Sequence, residues 1–65
     1  MKPWCVDLYC GKGGWTDGFK AAGWRVTGVD LVAFDGYAGD DFVQADMRQV
    51  DGRQFTGCDA MVASP

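Results

Sequence analysis

A run of apolar residues that ends in a cluster of glycines constrains this 65-residue chain more than any other feature. Trp4 to Cys10 is broken only by Asp7, closed by Gly11, and followed at once by Gly13 and Gly14. An apolar run of this length bounded by glycine reads as a buried strand. Behind it, Trp15, Phe19 and Ala22 recur at i, i+4 and i+7, one face of a helix. Thr16 is placed to cap that helix, Asp17 lies near its positive N-terminal end, and Gly23 is a natural stop. Gly18 lowers helix propensity by up to about 1 kcal/mol relative to Ala, so a close packing contact is expected there.

The rest of the chain repeats the strand and loop alternation. Trp24 to Asp30 is β-rich and reads as a second strand, and a loose segment from Leu31 to Asp41 follows, with turn signals at Asp35-Gly36 and Gly39. Phe42 to Ala45 reads as a short third strand ending at Asp46, and Asp46 with Gln49 resembles a capping box that opens one or two helical turns ending by Gly52. Asp59 to Ala63 is a fourth strand, closed by Ser64-Pro65. Connections of this kind predict an α/β fold with a parallel sheet and right-handed crossovers. Trp15, Phe19 and Trp24 are expected in the core, and Asp35, Asp40 and Asp41 in a solvated loop.

Composition removes several function classes. Six Lys and Arg stand against nine acids, a net charge of −3, and without a basic stripe the chain alone is not a phosphate-backbone binder. All nine acids are Asp, which favours caps, turns and strand ends over helix interiors. Histidine is absent, which excludes His-dependent hydrolase triads and His-based zinc sites. Cys5, Cys10 and Cys58 are odd in number and lack C-x-x-C spacing, so a reducing compartment is expected rather than a disulfide framework. The longest apolar runs, Leu31 to Phe34 and Ala60 to Ala63, fall far short of the roughly 20 residues of a membrane span. A soluble, cytoplasmic protein is the expectation.

In open parallel sheets, ligands bind beyond the carboxyl ends of the strands. Here those ends carry Gly11, Gly13 and Gly14, then Asp30, then Asp46, then Ser64-Pro65. Glycines allow close backbone approach and expose N–H groups near a helix N-terminus, and a carboxylate about 20 residues further on accepts ribose hydroxyls. Asp30 lies 19 residues after Gly11. Asp46 is placed either to accept the exocyclic amine of an adenine or simply to cap a turn, with Leu31 and Met47 offering apolar surface to the ring faces. Tyr9 belongs to the apolar wall of such a site and Cys10 borders its loop. Asp7 has two readings, a satisfied structural carboxylate or a group that orients the glycine loop. Together these residues describe a site for an adenosine-containing cofactor. A dinucleotide fingerprint fits poorly, because alignment on Gly11 and Gly13 puts Thr16 where the third glycine of G-x-G-x-x-G belongs.

The run from Asp7 to Phe19, DLYCGKGGWTDGF, completed by Ala21-Ala22-Gly23, resembles the first motif of the DNA cytosine-5 methyltransferases. Val29-Asp30 is similar to that family's acidic second motif, where many members carry Glu. Ala45-Asp46-Met47 resembles the third motif, and Cys58 to Pro65 resembles the strand leading into the fourth, which continues in the family as Pro-Cys-Gln. The resemblance implies a class I methyltransferase fold, Rossmann-like, with strand order 3-2-1-4 and S-adenosyl-L-methionine as cofactor. It implies that Asp30 holds the ribose, Asp46 and Met47 the adenine, and Ser64 the border of the crevice.

In the family the cysteine of the fourth motif attacks C6 of a flipped-out cytosine in DNA, and C5 then takes the methyl group, with a Glu assisting at N3. Neither that cysteine nor any Glu occurs in residues 1–65. Cys5 and Cys58 begin strands at the opposite end of the sheet from the site. By resemblance the chain is therefore the partial cofactor-binding domain of such an enzyme, cut before the catalytic Pro-Cys pair, inactive alone and completed by the remainder of the methyltransferase fold. Two alternatives stay open: an amino-directed methyltransferase, whose fourth motif would begin in a way Ser64-Pro65 is compatible with, and a non-catalytic remnant that holds an adenosine ligand.

Overall fold

The computed structural model describes residues 2–11, 13–32 and 36–63. Lys12, Asp35, Ser64 and Pro65, all considered above, lie outside the described residues. The elements run β1 (Trp4–Leu8), α1 (Gly14–Ala21), β2 (Arg25–Asp30), β3 (Asp41–Gln44), two 3-10 turns (Met47–Gln49 and Gly52–Phe55) and β4 (Ala60–Ala63). The four strands form one sheet in the order β3-β2-β1-β4, every neighbouring pair parallel. Val6 of β1 lies opposite Thr27 of β2 and Met61 of β4, and Val29 of β2 lies opposite Val43 of β3. The predicted α/β class and strand order thus describe the sheet.

Strand alternation divides the core between two faces. Val6 and Val29 point to one face, where buried Phe55 of the second 3-10 turn packs on them with Trp4, Leu8, Val43 and Val50 around the edge. Cys5 and Asp7, displaced by one residue, take the other face of β1, the side of Thr16 on α1. On that face the ring of Tyr37, from the β2–β3 connection, lies against Gly28 and Gly39, where a Cβ would come within 2.5 Å of its hydroxyl. Glycine at these two positions makes the slot the ring fills. Phe42 packs against the same ring, tilted at 59° with centroids 5.5 Å apart.

Several expected boundaries and contacts differ. The first strand stops at Leu8 rather than Cys10, because Tyr9 turns into the left-handed region (φ 58°) and the amides of Tyr9 and Cys10 both donate to the Val29 carbonyl. Helix α1 begins at Gly14, with Gly13 as N-cap and no side-chain cap. Thr16 is therefore inside the first turn, fully buried, and its hydroxyl faces Asp7 instead of the helix end. Trp15 is 55% exposed, and only Phe19 and Trp24 pair, edge to face at 5.1 Å. Gly18 has no contact: a Cβ there would meet nothing within 4 Å. Asp40 and Asp41 are not free loop residues. Asp40 accepts from the Val26 amide at 2.8 Å and from Lys20, and Asp41 opens β3 and accepts from Arg25 and Thr27. The turn after Asp46 ends at Gln49, and a second, capped by Asp51 through the Arg53 amide, carries Phe55 into the core.

Candidate functional site

The carboxyl ends of β3, β2 and β1 lie side by side, so the loops after them form one continuous edge. Adjacent strands are about 4.8 Å apart, which puts groups at successive strand ends within roughly 5–10 Å of one another. From β1 come Tyr9, Cys10, Gly11, Gly13 and Gly14, from β2 come Asp30 and Leu31, and from β3 comes Asp46.

Asp30 joins two of these loops. Its Oδ2 accepts the Gly11 amide at 3.0 Å, and its Oδ1 accepts the Leu31 amide at 2.7 Å. An ionised carboxylate offers about four acceptor positions, so the half-buried group retains capacity for further donors. Leu31 stands beside it 61% exposed. Gly11 needs its glycine for conformation, at φ 55°, and a Cβ at Gly11 or Gly14 would meet nothing within 4 Å. The space over both is open to a ligand that packs on the backbone.

Gly13 is the tight point of the loop. Its φ is 110°, its amide donates to the Cys10 carbonyl at 3.0 Å, and its carbonyl accepts the Asp17 amide at 3.0 Å, closing the first turn of α1. Cys10 contributes this carbonyl while its side chain is buried towards Gly28, where a Cβ would lie 2.7 Å from its Sγ. Burial, with the charges of Asp7 and Asp30 adding, pushes the Cys10 thiol up to about 11. At neutral pH it is a protonated packing group, not a nucleophile. Burial raises Cys5 as well.

Tyr9 is 49% exposed and, with Leu8, Val50, Gly52, Phe55 and Met61, lines a cleft of about 330 Å³ at the β1–β4 side of the edge. Asp46 is engaged locally: Arg48 forks onto both of its oxygens, with Nη2 to Oδ2 at 2.6 Å, and the Arg48 amide donates to Oδ1 at 2.9 Å. The Arg48 side chain, helped by that amide, holds the Asp46 carboxyl below the usual range. Met47 opens the 3-10 turn, and only its backbone is described; Ser64 lies outside the described residues.

Asp7 accepts the Thr16 hydroxyl at 3.2 Å, and the Thr16 oxygen lies 2.8 Å from that of Tyr37. Neither Thr16 nor Tyr37 was expected here from the sequence. The legible signal was Gly28, a glycine in the middle of a β-rich run, which marks close approach of another group. Among the described residues no group of three or more His, Cys, Asp or Glu is placed to hold a metal ion, and no helix is long and apolar enough to cross a membrane.

Fold and site together define an α/β protein whose parallel sheet carries, along one carboxyl edge, a glycine loop tied to a carboxylate of the neighbouring strand. No family model matches the chain, and no curated protein or solved structure shows significant similarity to it.

Proposed function

We propose that the chain is the S-adenosyl-L-methionine-binding part of a DNA cytosine-5 methyltransferase, a Rossmann-like domain of the class I methyltransferase type. The observation that carries cofactor binding is Asp30: one carboxylate at the end of β2, tied to the glycine loop through Gly11 yet retaining acceptor capacity beside an exposed Leu31. The choice of S-adenosyl-L-methionine over a dinucleotide, and of cytosine in DNA as methyl acceptor, rests on the ordered motif resemblance.

The donor set suits such a cofactor. Asp30 would accept the ribose hydroxyls, the open backbone at Gly11 and Gly14 would lie under the ligand, and Leu31 and Tyr9 would offer apolar surface. Asp46 would accept the adenine amine once Arg48 swings aside. A carboxylate-lined edge favours a single positive sulfonium over a pyrophosphate. When bound, the cofactor would supply an electrophilic methyl group, and these residues would bind and orient it.

Isothermal calorimetry with S-adenosylhomocysteine and NAD tests the reading. Heat with S-adenosylhomocysteine and none with NAD is expected; heat with NAD alone would overturn it, and heat with neither would leave a remnant without the ligand. Asp30→Ala is expected to weaken S-adenosylhomocysteine about 10- to 100-fold, the worth of losing charge-assisted hydrogen bonds of about 1.5–3 kcal/mol. Unchanged affinity would remove Asp30 from the site.

A further inference from the structure

The face of the sheet under α1 holds a chain of polar groups in a layer of apolar ones. Asp7 and Thr16 are fully buried, and Tyr37 reaches them from the connection between β2 and β3. The direction of the chain follows from proton counting. Thr16 has one hydroxyl proton and gives it to Asp7 Oδ2, so at its other contact the Thr16 oxygen accepts and the Tyr37 hydroxyl donates. Burial pushes the Tyr37 hydroxyl up to about 12, so the donor keeps its proton throughout the neutral range.

The same ring touches the tightest point of the glycine loop. A Cβ at Gly13 would lie 3.1 Å from the Thr16 Cβ, 3.3 Å from the Ala38 Cβ and 3.4 Å from Tyr37 Cε1. Gly13 is thus enclosed by Thr16 and Tyr37 of the relay and by Tyr37's own neighbour, Ala38. Its positive φ and its hydrogen bonds to Cys10 and Asp17 place the N-terminus of α1 relative to β1. A ring held in a slot of two glycines, anchored by a directed hydrogen bond, fixes this turn more closely than apolar packing would, because a shift of the ring leaves a buried acceptor unpaired.

We propose that Tyr37 is a positioning residue for the glycine loop, acting through Thr16 and Asp7 to hold the turn at Gly13 in the geometry that receives the ligand. The ligand half of this statement rests on the cofactor reading above; the loop half does not.

Two measurements on the whole chain separate them. Amide hydrogen exchange of Gly13, Asp17 and the core residues Val6 and Val26 is followed without ligand, and S-adenosylhomocysteine affinity by calorimetry. Tyr37→Phe and Thr16→Val each remove a hydroxyl and keep the approximate shape; Thr16→Ser keeps the hydroxyl. Exchange at Gly13 and Asp17, the amides that close the turn, is expected to accelerate roughly five- to tenfold in Tyr37→Phe, the worth of one buried hydrogen bond, and at least as much in Thr16→Val, which breaks two, with Val6 and Val26 changing less. Affinity is expected to fall by a similar factor, Thr16→Ser is expected to restore both, and the double variant to lose little beyond Thr16→Val, which already breaks both bonds of the chain. Equal acceleration at all four amides would reduce Tyr37 to a general stability role and overturn the proposal, as would unchanged exchange at Gly13. If the unaltered chain gives no heat with S-adenosylhomocysteine, the cofactor reading fails while the exchange data still decide what Tyr37 does.

Discussion

Two aspartates at the same edge of the sheet are held in different ways, and the difference bears on what each offers a ligand. Asp30 is tied to backbone amides of neighbouring loops, which are fixed donors and leave its other lone pairs in place. Asp46 is chelated by a side chain two residues away, an exposed guanidinium. A ligand donor therefore adds at Asp30 but competes at Asp46. The pair is solvent-screened and weak, so Arg48 acts as a displaceable occupant. Arg48→Ala is expected to raise the Asp46 carboxyl pKa back towards the ordinary value of about 3.9, read by NMR titration, and to tighten S-adenosylhomocysteine by no more than a few-fold. Because the folded-state pKa of Asp46 is lowered, the pair's stabilisation is present above the unfolded value and lost as pH falls through the lowered one. Weaker binding in the variant would mean that Arg48 itself faces the ligand.

At the level of elements, two glycines of one chain make opposite demands. Gly18 sits on the exposed side of α1 with nothing within 4 Å of a Cβ, whereas a Cβ at Gly28 would lie 2.5 Å from the Tyr37 hydroxyl and 2.7 Å from Cys10 Sγ. Gly18→Ala is expected to stabilise by about 0.5–1 kcal/mol through helix propensity, and Gly28→Ala to destabilise by about 1–3 kcal/mol through overpacking, both read from urea midpoints. The reverse order would mean that Tyr37 does not occupy the slot. Apolar runs ending in Gly or Asp have few other solutions, which made β1 and β2 legible, as the Ser64-Pro65 stop did for β4, and the site edge followed from the strand ends alone. Thr16 was illegible for a definite reason: at a helix start a threonine is ordinarily a cap, and only a buried carboxylate opposite it turns the hydroxyl inwards. Phe55 and Tyr37 sit in connections with no periodicity, so their burial depends on tertiary packing that no local pattern encodes. Trp15 shows the converse, a helical apolar position that the sheet does not reach.

Across the whole molecule, charge is neutralised locally. Among the described residues Lys20, Arg25, Arg48 and Arg53 each pair with an Asp, so these four cations are not gathered into a basic face for a phosphate backbone. Two uncharged titratable groups, Cys10 and Tyr37, are held away from solvent. Cys10 is held up to about 11 and Tyr37 up to about 12, each mainly by burial, and both stand near the buried Asp7. In the unfolded chain these groups titrate near their ordinary values, about 8.5 for a thiol and about 10 for a phenol. An acid with a raised folded-state pKa contributes stability that is complete below the unfolded value and is lost as pH rises towards the folded one. The urea midpoint is therefore expected to be flat with respect to these groups up to about pH 8.5, to fall from there towards 11 as Cys10 titrates, and to fall more steeply above about pH 10 as Tyr37 joins it. General repulsion on an acidic chain also grows with pH, so the slope in a variant decides between the causes. Cys10→Ala is expected to flatten the segment between pH 8.5 and 10 and Tyr37→Phe the segment above it, whatever either does to the midpoint at pH 7. Slopes identical to the unaltered chain in both variants would assign the alkaline loss to the raised Cys5 thiol or to surface charge and take Cys10 and Tyr37 out of the molecule's pH response.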